Sequence, residues 1–374
     1  MNDLAELKQF ASVHAKAQGI TGYLPIVDLI DSDDGDRPGS WVRQWSSRAD
    51  ELRARGRQLA AAQHYNMARF PYVDGEPRQR ALENCVAAFG SWAAGHGIER
   101  FELDLPGGVA ACWATGLSAR DPRPLVLMCG GIVSIKEQWA EALVAMRRVG
   151  VAGLVCELPG VGENTTRYDE HSWRTVSVLL DAVAGRADVA RTCALMFSFG
   201  GHLALRCAQE DSRVCGIVTA GAPVHAFFTD ERWQRGLPRV TADTLARLTG
   251  TAPDALAGAL RPMALDPARL AELEVPVAYI SSTRDEIIPL QDVELLRARV
   301  RRLGLLERDD VHGAPGHVVD NRLWSMLAAL RMLDHPTRRA RLLVSAIRLL
   351  RLGRKVRRTP ATGRYPEHDR WEMS

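Results

Sequence analysis

A serine between a buried strand and a helix constrains the fold of this chain more than any other feature. Residues 191–197 form an apolar run that predicts a buried strand, and Ser198 follows directly. Gly200 and Gly201 come next, and residues 202–208 predict the start of a helix. A sharp strand-to-helix turn with a serine at its tip needs residues without a Cβ beside it. The segment therefore predicts a nucleophile elbow that exposes Ser198 at one edge of a sheet.

The groups that would stabilise an oxyanion are also predicted from their positions. The N–H of Phe199, directly after the serine, is expected to face the oxygen that becomes negatively charged. A second donor is expected in the glycine-rich loop after the third strand, from Gly131 or Ile132, although this loop could also be an ordinary turn. Met196 stands where the G-x-S-x-G pattern has its first glycine, so the elbow departs from that pattern at one position.

A serine nucleophile needs a base that is oriented by an acid, and in this type of site they follow in the order Ser, acid, His. Asp285 comes just after a predicted strand and is expected to be the acid, with the capping of the next helix as the alternative role. His312 and His317 compete for the base. His317 is favoured because it directly precedes the helical pattern at residues 321–333.

Strands alternate with helices after residue 100. Apolar runs predict strands at residues 101–105, 109–115, 124–129, 151–157, 191–197, 214–220 and 275–281. Helical patterns lie between most of them, at residues 137–149, 171–184, 202–209 and 290–301. This alternation predicts an α/β fold with a mostly parallel twisted sheet flanked by helices on both faces.

Three regions are expected along the chain. Residues 1–100 are helical in pattern and are expected to form an N-terminal cap region. Residues 101–335 form the core, interrupted at about 223–274 by a helical insertion in the position of a lid. Residues 336–374 form a basic amphipathic tail. The tail could lie on an anionic membrane surface, but packing on its own fold or on a second subunit is the favoured alternative.

Charge and composition exclude several classes of function. The chain has 48 basic and 45 acidic residues, and its net charge of +3 is too small to indicate nucleic-acid binding. Seven scattered cysteines without a C-x-x-C pair are expected to be reduced thiols. With no secretion-signal pattern and no apolar run long enough for a membrane span, the cytoplasm is the expected location and a membrane partner is not expected.

No metal or cofactor is expected. The acidic segment at residues 31–39 lacks the glutamate that ends a calcium-binding loop. The glycine-rich loop at residues 158–164 lacks the G-K-[ST] of a phosphate-binding loop. The expected partner is therefore a small-molecule substrate, and a homodimer is left open.

Several segments together resemble one family. They are the helical segment at residues 57–65, the glycine loops at 130–137 and 158–163, the elbow, and the histidine loop His-Val-Val-Asp-Asn at 317–321. From about residue 45 to residue 333 the chain resembles the α/β-hydrolases of the FrsA-like esterase and 2,6-dihydroxypseudooxynicotine hydrolase branch. The resemblance implies an α/β-hydrolase fold, a helical N-terminal cap over the active site, and His317 as the base.

Three residues are expected to contact a substrate. Glu157 is expected to provide a polar contact, since it comes just before the loop that follows the fourth predicted strand. Tyr65 from the cap region and Phe227 from the insertion are expected to line one apolar pocket over Ser198. The alternative for these aromatic side chains is that they form the core of the lid.

The leading functional prediction is a serine hydrolase that cleaves an ester, or a C–C bond next to a ketone, through an acyl-enzyme. The substrate is expected to be small and to belong to secondary metabolism. The main alternative is a lyase on the same fold, for example one that eliminates acetate in a polyketide or tetronate pathway. A non-enzymatic binding module is disfavoured, because a serine, an acid and a histidine occur in the order that catalysis needs.

Overall fold

The centre of the molecule is an eight-stranded sheet, as seen in a computed structural model that describes residues 2–334. The strands are β1 (Ile98–Leu105), β2 (Gly108–Thr115), β3 (Pro124–Cys129), β4 (Ala152–Val155), β5 (Asp188–Met196), β6 (Val214–Ala220), β7 (Val277–Ser282) and β8 (Leu303–Arg308). Their order in the sheet is β1-β2-β4-β3-β5-β6-β7-β8. β2 is antiparallel to both β1 and β4, and all other pairs are parallel. The predicted mostly parallel α/β fold is confirmed.

Helices are numbered α1 to α15 in chain order. The region before the sheet contains α1 (Leu4–Ala17), α2 (Leu24–Asp28), α3 (Trp41–Ala54), α4 (Gln58–Arg69) and α5 (Glu76–Ala94). The sheet is flanked by α6 (Ala140–Val149), α7 (Arg174–Val183), α8 (Phe199–Cys207), α14 (Leu290–Arg299) and α15 (Val318–Met332). Between β6 and β7 lie α9 (Ala226–Thr229), α10 (Glu231–Gln234), α11 (Arg239–Thr249), α12 (Leu256–Leu260) and α13 (Pro267–Ala271). Short 3-10 helices occupy Lys136–Trp139, Pro253–Ala255 and Arg261–Met263.

The central strands consist mainly of apolar residues because helices cover both faces of the sheet. Every residue of β3, β4 and β7 is buried. The edge strand β8 is different, since most of its residues are only half-buried. This mixed composition explains why the apolar runs in the sequence do not predict β8.

The N-terminal helices pack on the sheet and on the insertion. The ring of Phe89 on α5 lies 4.9 Å from that of Trp113 on β2, which joins these helices to the main core. A second apolar cluster contains Leu7, Trp41 and Phe70 together with Val240 of α11. Both apolar clusters extend to the half-buried Val133, in the loop after β3. The predicted tail at residues 336–374 lies outside the described residues.

Candidate active site

The elbow has the backbone geometry that its sequence predicts. Ser198 lies between β5 and α8 with φ 52° and ψ −128°, a conformation that L-residues rarely adopt. A Cβ on Gly200 would come within 2.6 Å of the carbonyl oxygen of Gly130, and one on Gly201 within 1.9 Å of Thr219 Oγ1. Met196 is buried and pairs with β3, so the elbow forms without the first glycine of the pattern.

A continuous hydrogen-bonded chain runs from this serine to a carboxylate. Ser198 Oγ lies 3.2 Å from His312 Nε2. On the other side of the ring, His312 Nδ1 lies 2.9 Å from Asp285 Oδ2 and 3.0 Å from Oδ1. Oδ1 of Asp285 also accepts the N–H groups of Ile287 and Ile288 at 2.9 and 2.8 Å, which fixes the carboxylate. Serine, histidine and aspartate therefore have the connectivity of a Ser-His-Asp triad.

The structure corrects the choice of histidine. His317 is not beside Ser198: it lies at the start of α15, and its Nδ1 is 3.1 Å from Asp310 Oδ2. His312 reaches the serine from the loop after β8, which begins at the carboxyl ends of the parallel strands. The loop uses a left-handed glycine, Gly313 with φ 76°, and the N–H of Ala314 donates to the carbonyl oxygen of Val311 at 3.0 Å.

Two residues that were not predicted support His312. Glu286 Oε2 accepts the backbone N–H of His312 at 3.0 Å. Gly221 has φ +57°, and a Cβ on it would lie 2.7 Å from His312 Cε1. Glu286 is adjacent to Asp285 in the sequence, so its carboxylate lies within reach of the same loop. This adjacency is a signal that the sequence contains. Gly221 carries no such signal, because His312, for which it leaves room, is distant in the sequence.

Electrostatics keep a proton on His312 more readily than on an ordinary histidine. Burial by itself lowers the pKa of His312, but the charge and hydrogen bond of Asp285 and the charge of Glu286 outweigh burial. The pKa of His312 is therefore raised. The imidazolium that forms when a histidine takes a proton is stabilised by the same two carboxylates.

The groups expected to bind an oxyanion lie close to the serine. A Cβ on Gly131 would be 2.9 Å from Ser198 Cβ and 3.1 Å from its Oγ, so only a glycine backbone fits there. Ile132 follows in the same loop, and the N–H of Ser134 donates to the carbonyl oxygen of Gly131 at 3.0 Å. Phe199 is the first residue of α8, where backbone N–H groups have no partner within the helix.

The residues predicted to contact a substrate have different surroundings. Phe227 is buried, and its ring packs edge-on at 5.2 Å against that of Phe199. Tyr65 is also buried, and its hydroxyl donates to Asp50, away from the triad. Of these two aromatic residues, the structure brings Phe227 to the elbow, where it packs in the core against Phe199.

Glu157 is part of a buried charged cluster instead of a pocket wall. Its carboxylate accepts the backbone N–H groups of Lys136 at 3.2 Å and Glu163 at 3.0 Å, and it lies 3.3 Å from Lys136 Nζ. The same Nζ is 3.0 Å from Glu137 and 2.6 Å from Glu163. Burial raises the pKa of Glu157 to about 7, against the opposing charge of Lys136. The expected substrate contact is corrected to a link between the loops after β3 and β4.

Neither a metal site nor a membrane span is found in the described part of the chain. Among residues 2–334 no three His, Cys, Asp or Glu side chains are grouped so that they could hold an ion. No helix within the same residues combines the length and the apolar character needed to cross a bilayer.

Comparison with known proteins gives the family. The model of the FrsA-like esterases ("Esterase FrsA-like") matches residues 28–266. Esterase FrsA of Escherichia coli K12 is 28% identical over 245 residues, which cover 60% of this chain and 59% of that protein. The chain thus matches about three-fifths of the length of this curated relative.

Solved structures extend the similarity over most of the chain. AbyA5 is 51% identical, with a TM-score of 0.89, and the match covers 93% of this chain and all of AbyA5. The 2,6-dihydroxy-pseudo-oxynicotine hydrolase, at 21% identity and a TM-score of 0.69 over 86% of this chain and 95% of its own, shares the fold. With the elbow, the mostly parallel sheet and these matches in place, the chain belongs to the FrsA-like esterase family of α/β-hydrolases.

Proposed function

We propose that this chain is a serine-dependent enzyme that cleaves an ester, or a C–C bond next to a ketone, in a small molecule of secondary metabolism. The observation that carries the proposal is the chain of contacts from Ser198 Oγ through His312 to Asp285, at 3.2 and 2.9 Å. A serine hydroxyl is a weak nucleophile until a base accepts its proton. His312 is the residue whose ring nitrogen faces that hydroxyl, so it replaces His317 in the proposed mechanism.

In the first half-reaction Ser198 Oγ attacks the substrate carbonyl carbon while its proton passes to His312 Nε2. The carbonyl oxygen becomes an oxyanion that the N–H groups of Phe199 and of the Gly131–Ile132 loop stabilise. When the tetrahedral intermediate collapses, His312 returns the proton to the leaving oxygen or carbon, and an acyl-enzyme remains. Water then attacks the acyl carbon, His312 takes a proton from that water, and Ser198 leaves with the proton restored.

The surroundings of the site favour a small substrate. The N-terminal helices pack with Val240 of the insertion and with Val133 of the loop after β3. We propose that these two regions together cover the carboxyl ends of the strands, where Ser198, Asp285 and His312 lie. A covered site excludes water and restricts the size of what enters. A cytoplasmic location is also proposed, because seven free cysteines, six of them buried, suit a reducing compartment. The homodimer stays a prediction.

Elimination is the second candidate, because the similarity to the curated esterase is low and covers only a part of the chain. The chain is 51% identical to AbyA5 over nearly its whole length, against 28% to esterase FrsA over a part. Its chemistry therefore need not follow that of the esterase. In an elimination, His312 would take a proton from a carbon next to a carbonyl, a C=C bond would form, and acetate would leave with the electron pair of its C–O bond. No water would be consumed.

Two measurements test these proposals. A fluorophosphonate should label wild-type protein at Ser198, identified by peptide mass spectrometry, and should leave Ser198→Ala unlabelled. The absence of labelling in folded wild-type protein would overturn the nucleophile. For an acetate ester turned over in ¹⁸O-water, hydrolysis places one ¹⁸O in the acetate and yields an alcohol. Unlabelled acetate with an alkene product would instead establish elimination.

A further inference from the structure

Arg69 at the end of α4 is a buried cation in contact with the loop that is expected to bind the oxyanion. Its side chain is 2% exposed. Nε donates to Asn66 Oδ1 at 2.8 Å and Nη1 to the carbonyl oxygen of Pro71 at 3.0 Å, both within the cap region. Nη2 donates to the carbonyl oxygen of Val133, across the boundary between cap and core.

Because Arg69 Nη2 donates to Val133, both polar groups of one peptide in the loop are hydrogen-bonded. The peptide between Val133 and Ser134 has its carbonyl held by Arg69 and its N–H held by the carbonyl oxygen of Gly131, at 3.0 Å. Rotation of this peptide would therefore break two hydrogen bonds in a partly buried place. Ile132 lies within the turn from Gly131 to Ser134, so the direction of its N–H depends on the turn.

The other end of the loop is fixed by the core, and Arg69 provides a hydrogen bond from the cap. The N–H of Lys136 donates to Glu157, as described above. On the cap side, Asn66 Nδ2 in turn donates to Gln18 Oε1 at 2.7 Å, so a hydrogen-bonded network leads from the end of α1 to the loop.

The charge of Arg69 is not neutralised by direct contact. No carboxylate of residues 2–334 forms an ion pair with it, although buried charges are normally paired. Burial lowers the pKa of Arg69 to about 10, and the more distant Glu157 and Glu137 oppose that change. The guanidinium is thus still cationic at neutral pH, and its field favours negative charge on the side of the loop.

We propose that Arg69 is a positioning residue through which the N-terminal cap holds the oxyanion loop in its active geometry. This proposal rests on the proposed function, since it concerns the stabilisation of the oxyanion formed when Ser198 attacks. It gives the cap a part in the chemical step in addition to covering the pocket.

The test measures how fast a fluorophosphonate phosphonylates Ser198 in full-length wild type, Arg69→Met, Arg69→Gln and Arg69→Lys. Negative charge builds on the phosphoryl oxygen in this reaction, and a temperature at which circular dichroism shows each variant to be folded keeps loss of folded protein out of the rate constant. Loss of a direct oxyanion donor costs about 10²- to 10³-fold. An indirect effect through the loop should therefore lower the phosphonylation rate of Arg69→Met by about 10- to 100-fold. Arg69→Lys keeps the charge and one donor nitrogen, so its rate should lie between those of Arg69→Met and the wild type.

Arg78→Met is the matched control. Arg78 is equally buried on the cap, 3% exposed, but it pairs with Asp33 and Asp74 and not with the loop. It should lose stability while its remaining folded protein reacts at nearly the wild-type rate. A rate for Arg69→Met within twofold of wild type, or an equal loss in Arg78→Met, would overturn the proposal. Failure of the wild type to react would instead remove the proposed function.

Discussion

At the scale of single residues, the site depends on which of two histidines in one loop faces the serine. Both have a carboxylate partner: Asp285 for His312 and Asp310 for His317. A carboxylate partner therefore does not by itself show which histidine is the base. The distinguishing contact is that of Ser198 Oγ with His312 Nε2.

His312→Ala is expected to lower turnover by about 10⁴-fold or more, as removal of a triad member does. Ser198→Ala with His312→Ala should be little worse than either alone, because the two residues act as one unit. His317→Ala is the matched control and should retain most activity. Steady-state turnover of p-nitrophenyl acetate, or of the native substrate once known, measures this. A larger loss in His317→Ala than in His312→Ala would contradict the geometry.

Glu286→Gln is expected to move the acid limb of the pH–rate profile to lower pH. Glutamine still accepts the N–H of His312, but the negative charge that helps raise the histidine pKa is gone. The base works when neutral, so activity falls as the pH drops through its pKa, and a lower pKa preserves activity to lower pH.

The pH dependence of the phosphonylation rate constant checks this shift. Glu307→Gln is the control, because Glu307 is an exposed residue of β8 that pairs only with Arg297 in the described structure. An acid limb that stays at the wild-type pH in Glu286→Gln would mean that this carboxylate has no electrostatic effect on the base.

At the scale of elements, three strand ends meet to build the site. Ser198 follows β5, Asp285 follows β7, and His312 follows β8, while Gly221 directly after β6 leaves room between them. The carboxyl ends of parallel strands lie at one edge of the sheet, which explains why residues far apart in sequence converge there.

Gly221→Ala should therefore displace the ring of His312 while leaving the three residues of the triad unchanged. The new methyl would overlap the ring of His312, and φ +57° adds strain of about 1–2 kcal/mol. Misplacement of a reacting group by about 1 Å can cost 10²-fold, and a loss of that order is expected in kcat.

Gly185→Ala is the control for this prediction, since a Cβ there has no neighbour within 4 Å and no positive φ. Turnover and thermal unfolding measured on both variants separate displacement from general instability. Unchanged turnover in Gly221→Ala would show that the ring has room to move.

At the scale of the whole molecule, the N-terminal region ties the insertion to the core. Glu6 on α1 accepts the N–H groups of Arg239 and Val240, at 2.8 and 2.7 Å, and so caps α11. His14 on the same helix packs on Phe70 with 4.6 Å between the ring centres. Burial, Arg69 and His312 together lower the pKa of His14 to about 3, so this histidine is neutral and electrostatically coupled to the site.

Deletion of residues 1–70 is expected to lower both solubility and activity. It removes most of the second apolar cluster, exposes Val240 and Ala81, and takes away Arg69. The soluble fraction and the phosphonylation rate, each compared with the full chain, check the two effects separately. A soluble truncated protein that reacts at the wild-type rate would exclude the N-terminal region from the site.

Several elements of the structure are predictable from local sequence pattern alone. The elbow at Ser198, the mostly parallel sheet, the insertion after β6 and the placement of Asp285 after β7 all follow from apolar runs and glycine positions. These features depend on residues close together in the chain, so their pattern is visible without coordinates.

Which side chains contact one another follows instead from the three-dimensional packing. It selected His312 over His317, turned Glu157 inward to Lys136, placed Tyr65 beside Asp50, and joined Arg69 to Val133. Each of these outcomes depends on the path of a loop or on packing between segments far apart in sequence. His312 and His317 belong to one loop, and no local propensity records which of the two that loop carries to the serine.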